Sequence, residues 1–159
     1  MIQDDRAFRN ALGEFATGVT AVTVMTEKGE PLGITVNSFS SVSLDPPLVL
    51  WCLDKKSDTL DVFNACSGFT INVLSAQQQD LSNRLAQQGA HGLDNVATTV
   101  GVNGCPSIDQ ALVSFECKIE SRHDAGDHII MVGRVEAFQC GDTEPPLIYH
   151  RGGYCALSD

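Results

Sequence analysis

Three clusters in the sequence carry residue types that bind or react. The first runs from Gly33 to Leu50, where Thr35, Asn37, Ser38, Ser40, Ser41 and Ser43 stand among β-branched and aromatic residues. A strand that only filled a core would not carry so many hydroxyls, because each buried one needs a partner. Hydroxyls and backbone N–H groups along an extended segment suit a flat polar ligand, so this stretch is expected to floor a cofactor site. An edge strand showing a polar face to water would read the same way.

The second cluster is Lys55-Lys56-Ser57-Asp58-Thr59, the only adjacent basic pair in an acidic chain. It precedes a predicted helix from Asp58 to Ala65, with Ser57 as its N-cap. First-turn N–H groups, two hydroxyls and nearby ammonium groups together favour an anion. The third is Gly126-Asp127-His128, where a tight turn sets His128 at the mouth of a strand. A histidine there can donate to a phosphate or carboxamide. His91, His123 and His150 have no such setting.

Reactive pairs are missing. The sequence holds no G-x-S-x-G elbow and no H-E-x-x-H. The six cysteines (52, 66, 105, 117, 140 and 155) show no C-x-x-C spacing, so they read as small reduced residues rather than metal ligands. A chain rich in ligand-holding groups and poor in nucleophile–base pairs fits an enzyme whose cofactor supplies the chemistry.

The elements that would position these groups follow from periodicity. Phe8, Ala11, Leu12 and Phe15 predict a helix from Asp4 to Phe15, capped by Asp4 or Asp5. A strand over Val19–Thr26 turns at Glu27–Glu30 into a second that runs to the Asp45-Pro46-Pro47 break. Further strands are expected at Leu48–Leu53, Phe69–Leu74, Ala111–Ser121, His128–Gln139 and Leu147–His150. Ser75-Ala76-Gln77-Gln78 is a capping box for a helix ending near Gly89, and Gln87–Gly104 reads as a surface loop. About seven strands with short antiparallel connections and three interrupting helices imply a β-barrel with helices at its ends. The absence of G-x-G-x-x-G and of regular strand–helix alternation disfavours a Rossmann domain.

Bulk properties narrow the partners. The 159 residues suit one domain, 1–159, and a net charge of -10 with ten scattered basic residues argues against nucleic acid. No apolar run reaches the roughly 18 to 20 residues of a bilayer span, and the first residues lack a secretory pattern. A cytoplasmic protein, not bound to membrane, is expected.

Several segments together resemble the short-chain flavin reductases, the reductase components of two-component flavin-dependent monooxygenases. They are Phe15-Ala16-Thr17-Gly18-Val19-Thr20, Thr35-Val36-Asn37-Ser38-Phe39, Ser41-Val42-Ser43-Leu44-Asp45-Pro46-Pro47, Asn72-Val73-Leu74, Gly126-Asp127-His128 and Arg151-Gly152-Gly153-Tyr154. The resemblance runs nearly end to end and keeps motif order. It implies a mainly β, antiparallel, FMN-binding split barrel with a few flanking helices, assembled as a homodimer. It implies oxidation of NADH or NADPH with reduction of FMN or FAD, and delivery of reduced flavin to a separate oxygenase. By position, Thr35, Val36, Asn37, Ser38 and Ser41 would line the isoalloxazine and ribityl chain, with Cys52 and Leu53 packed nearby. Ser57, Asp58, Thr59 and Arg84 would reach the phosphate side, and His128 and Tyr154 would face the nicotinamide. An electron carrier that keeps its FMN, or a scaffold that binds no flavin, are the competing readings.

Overall fold

The computed structural model describes residues 4–157. In chain order it contains α1 (Asp5–Leu12), β1 (Thr17–Gly18), β2 (Thr20–Met25), β3 (Pro31–Val36), β4 (Ser40–Leu44), β5 (Pro47–Asp54), α2 (Leu60–Ala65) and β6 (Gly68–Val73). A 3-10 turn (Ala76–Gln78) leads into α3 (Gln79–Leu85). Then come β7 (Thr98–Val100), β8 (Pro106–Ile108), β9 (Val113–Ala125), β10 (His128–Cys140), β11 (Ile148–His150) and β12 (Gly153–Cys155). The mainly β, antiparallel character expected from the sequence is present.

Seven strands form the principal sheet in the order β3-β2-β6-β9-β10-β5-β4. Its two edge strands, β3 and β4, are joined by Asn37, Ser38 and Phe39 alone. Laid flat, seven strands would hold those edges about 29 Å apart. The four Cα steps from Val36 to Ser40 reach at most about 14 Å. The sheet therefore curls until its edges approach, which is the split barrel. Ser38 Oγ fixes the crossover to β5 by accepting from Cys52 N–H at 2.9 Å and donating to the Cys52 carbonyl at 3.3 Å. Phe39 stacks on Phe115 of β9 with ring centroids 5.8 Å apart.

This crossover corrects the continuous strand expected as far as Leu44. Alternation alone cannot distinguish one long strand from two strands at opposite edges of a curled sheet. A bulge between Ser41 and Ser43 further interrupts the alternation, and Ser40 and Ser41 are both exposed.

Two apolar clusters fill the molecule. Trp51, Phe63 and Phe69 meet edge-on inside the barrel, with Trp51 5.0 Å from Phe63 and 5.7 Å from Phe69. Each such buried side chain contributes about 1.5–3 kcal/mol. A Cβ at Gly133 would lie 2.6 Å from the Phe69 ring, so β10 needs glycine there. The second cluster packs Leu85 of α3 and Leu93 against Val19, Ala21, Leu74, Ile108 and Leu147. Buried Asn72 pins the layers: its amide donates to Ala21 O and Thr23 Oγ1, and its oxygen accepts from Ile108 N and Ser114 Oγ. Its bonding capacity is filled, as burial requires.

Other boundaries shift for identifiable reasons. Asp4 caps α1 through Arg6 N–H and Ala7 N–H, but the helix ends at Leu12, and Phe8, Leu12 and Phe15 are 47%, 60% and 79% exposed. Its apolar stripe lacks a partner among the described residues of this chain. The expected loop 87–104 is partly built in: Gly33 N–H donates to His91 O, Leu93 N–H to Pro31 O, and Thr98–Val100 pairs with Pro106–Ile108. All six cysteines are free; burial pushes the Cys117 thiol up to about 12, whereas Cys140 and Cys155 are exposed.

Candidate functional site

Three adjoining hollows surround the crossover. The first encloses about 430 Å³. Its floor is Ile34–Ser38 with Cys52 and Leu53; Asp54, Lys56, Ser57, Asp58 and His128 form one wall, and Leu85, Ala86, Gln88 and His91 the other. The second, about 500 Å³, shares Thr35, Val36, Asn37 and Ala86 and is closed by Tyr149 and Tyr154. The third, about 720 Å³, lies between the end of α1 and the Arg151-Gly152 turn. Exposed Asn37 borders all three.

The hydroxyls that draw attention in the sequence are largely used within the protein. Thr35 Oγ1 donates to Ser82 O at 2.7 Å, and Ser38 Oγ is held by Cys52. Backbone groups face the cavity instead. Gly33 N–H points outward to His91 O, so the two-residue alternation turns the N–H and carbonyl of Thr35 the same way, off β2.

The basic cluster divides. Lys55 Nζ turns to Asp124 at 2.8 Å and Gly126 O at 2.9 Å, which fastens the β9–β10 turn beside the cavity. Lys56 alone lines the wall. Ser57 is not the helix cap expected from the sequence: α2 starts at Leu60 with Thr59 in the N-cap position. Ser57 Oγ instead lies 2.8 Å from Thr59 Oγ1, and Thr59 is buried behind it. Arg122 of β9 donates to Phe63 O and Cys66 O, satisfying carbonyls at the C-terminal end of α2.

Asp58 bridges the two walls. Its carboxylate accepts from Gly89 N–H at 2.7 Å and from His91 Nε2 at 2.9 Å. Desolvation alone would raise this carboxyl, but the Gly89 N–H and the His91 imidazole overcome it and hold it below its usual range. Further along the first wall Gly126, at φ +66°, makes the tight turn, and His128 stands across from Asp54. His128 Nδ1 lies 2.7 Å from Asp127 Oδ1. A carboxylate only accepts, so Nδ1 carries the proton and Nε2 is left for a ligand.

Thr35, Val36, Asn37, Ser38, Cys52, Leu53, Ser57, Asp58 and His128 thus meet in one cavity. Tyr154 lies in the adjoining hollow with its hydroxyl 2.7 Å from Ser82 Oγ. Thr59 sits behind the wall, while Ser41, exposed on β4, and Arg84, at the end of α3, line none of the three hollows. Sequence reasoning missed His91, Gln88 and Ala86. No local pattern marks them, because a loop docked on β3 brings them in.

The residues present fit a flavin. A slot floored by backbone amides and flanked by Cys52 and Leu53 can take a ring, and Lys56 with Ser57 can take an anion at one end. A curled antiparallel sheet whose edge-to-edge crossover floors such a slot is a flavin-binding split barrel. Residues 12–158 match the flavin reductase like domain, and the chain belongs to that family.

It is 47% identical to the FMN reductase (NADH) SmoA of Agrobacterium fabrum, over 98% of this chain and 88% of that protein. It is 46% identical to a probable flavin reductase of Rhizobium meliloti over 95% of its own length, and spans 48% of that protein. It superposes with a TM-score of 0.92 on a homologue of nitrilotriacetate monooxygenase component B from Mycobacterium thermoresistibile, at 35% identity over 98% of this chain and 87% of that one. No helix among the described residues is long and apolar enough to cross a membrane, and none of their His, Cys, Asp and Glu side chains form a group of three able to hold a metal.

Proposed function

We propose that the protein is an NAD(P)H:flavin oxidoreductase that reduces FMN or FAD and supplies reduced flavin to a partner monooxygenase. The observation that carries this reading is the 430 Å³ cavity over the Thr35–Ser38 crossover, rich in ligand-holding groups and without a nucleophile–base pair. A flavin bound there supplies the chemistry, accepting hydride from a reduced nicotinamide. The protein's residues hold and orient. Outward backbone groups of Thr35 and Asn37 serve the polar rim of the ring, and Cys52 and Leu53 pack beside it. Lys56 and Ser57 take the phosphate side, with Thr59 buttressing Ser57. His128, turned by Asp127, presents Nε2 to the nicotinamide, and Tyr154 bounds the neighbouring hollow. Holding two rings at reacting distance replaces a bimolecular encounter with an oriented pair.

The unpartnered stripe of Phe8, Leu12 and Phe15 supports a homodimer, since its Leu12 and Phe15 border the hollow beside Asn37. Ser41 and Arg84 reach a flavin in this reading only across such an interface or by a shift of α3. Six unpaired cysteines fit a reducing cytoplasm.

Purified protein mixed with NADH or NADPH and with FMN or FAD is expected to lose absorbance at 340 nm only when flavin is present. No flavin-dependent loss with either nicotinamide overturns the reductase. A yellow protein that keeps its flavin through gel filtration yet ignores both nicotinamides would instead be an electron carrier.

A further inference from the structure

We propose that Ser82, which lines none of the three hollows, is a positioning residue that holds Thr35 on the flavin floor and Tyr154 on the second hollow in one fixed relation. The inference rests on the reductase reading above and adds to it the residue that keeps the two ligand seats in register.

Ser82 is fully buried in α3, and its carbonyl and its hydroxyl each hold a residue from another element. The carbonyl accepts from Thr35 Oγ1 at 2.7 Å as well as from Ala86 N–H at 3.1 Å, which fills both lone pairs. Its Oγ lies 2.7 Å from the Tyr154 hydroxyl. Thr35 is 47 residues away along the chain and Tyr154 is 72, so only the fold brings the three together.

Both partners stand on edge strands. β3 bonds to β2 alone within the principal sheet, so the Thr35 hydroxyl is what ties that point of the floor to α3. β12 bonds to β11 alone in the small sheet β1-β11-β12. The Tyr154 ring meets Tyr149 edge-on with centroids 5.6 Å apart, and both tyrosines line the second hollow. Ser82 thus joins the edges of two separate sheets. The same turn of α3 walls both seats: Leu85 and Ala86 line the first hollow, Asn83 and Ala86 the second. A slip at Ser82 would shift floor, wall and tyrosine together. Hydride transfer feels such a slip, because the reacting atoms of two bound rings must lie about 3–3.5 Å apart. A bond that only stabilised the fold would show in melting, whereas one that positions shows in rate after both ligands are bound.

Single-turnover reduction of bound flavin should be followed in stopped flow, without oxygen and at saturating reduced nicotinamide. The proteins are the wild type, Ser82→Ala, Tyr154→Phe and the double variant. The two single changes remove one hydrogen bond from opposite ends and leave the Thr35 bond and the aromatic pair in place. Each is expected to slow reduction about fivefold. The double variant should also lose about fivefold instead of about 25-fold, because only one interaction is gone. Thr35→Val keeps the side-chain shape without the hydroxyl, and fluorescence titration should show flavin affinity weakened about fivefold. Thr35→Ser, which keeps the hydroxyl, should restore it to within about twofold. Melting temperatures are recorded alongside. Variants that melt earlier yet reduce flavin at the wild-type rate overturn the proposal. Multiplied losses in the double variant overturn it too, as does a Thr35→Ser loss equal to that of Thr35→Val. Wild-type protein whose bound flavin is reduced by neither nicotinamide ends the reductase reading instead, and the Thr35 titrations then still judge the hold on the floor.

Discussion

Two histidine–aspartate pairs border one cavity, and they are built differently. His128 and Asp127 are neighbours in sequence, on the tip of a hairpin, with side chains 40% and 83% exposed. His91 and Asp58 are 33 residues apart, and their side chains are 11% and 31% exposed. The first pair is made by a turn. The second is made by tertiary packing and ties two walls together. The comparison teaches that exposure sorts the roles: the half-open histidine suits a ligand that comes and goes, and the enclosed one suits holding the wall beside a ligand seated beneath.

Removing the packing beneath the enclosed pair should have the largest effect. Leu93 is buried against Leu85, Val19 and Leu147, and it anchors the segment that carries His91. Leu93→Ala is expected to cost about 3 kcal/mol and to lower the melting temperature by about 6–12 °C. Flavin affinity should fall with it, because the wall tied together by Asp58 and His91 loses its footing. A variant that melts early yet keeps full flavin affinity in a fluorescence titration would break the link between packing and the pair.

The exposed pair should answer in kinetics, not stability. His128→Ala is expected to raise the KM for the nicotinamide about tenfold, with flavin affinity within about twofold and little change in melting. Initial rates at fixed FMN and a separate flavin titration measure the two effects. Collapse of flavin binding in that variant would place His128 on the other ligand and erase the contrast with His91.

The same contrast explains what was legible in the sequence. Gly126-Asp127-His128 could be read because its chemistry and geometry are local: a left-handed glycine, then two adjacent side chains that bond each other. The hairpin of β2 and β3, the β9–β10 pair and the capping box at Ser75 were legible for that reason too, and Gln78 Oε1 does accept from Ser75 N–H. Asp58–His91 was not, because it depends on Gly89–Leu93 docking along the edge of β3. The crossover at Asn37–Phe39 was half legible. Its polar residues flagged the site, but the alternation hid that β3 and β4 part company there. Hydroxyls read as ligand contacts became staples, Thr35 to Ser82 and Ser38 to Cys52, because a curled sheet brings them backbone partners that a lone strand lacks.

The smallest effects lie in the carboxylates, and pH separates them. Asp58 is held below the usual carboxylate range, so its charged form stabilises the fold above the unfolded value of about 3.9. That contribution fades as pH falls through the lower folded value. The melting-temperature gap between wild type and Asp58→Asn should therefore narrow as pH falls below about 3.9 and close below the lowered folded value. Asp127 is also lowered, by its hydrogen bond to His128, but its carboxylate stands in water. Its Asn variant should show a smaller gap at every pH, and roughly 0.5 M salt should remove what there is. A gap for Asp127 that matched Asp58 and survived salt would mean that the two pairs are enclosed alike, and exposure would no longer distinguish their roles.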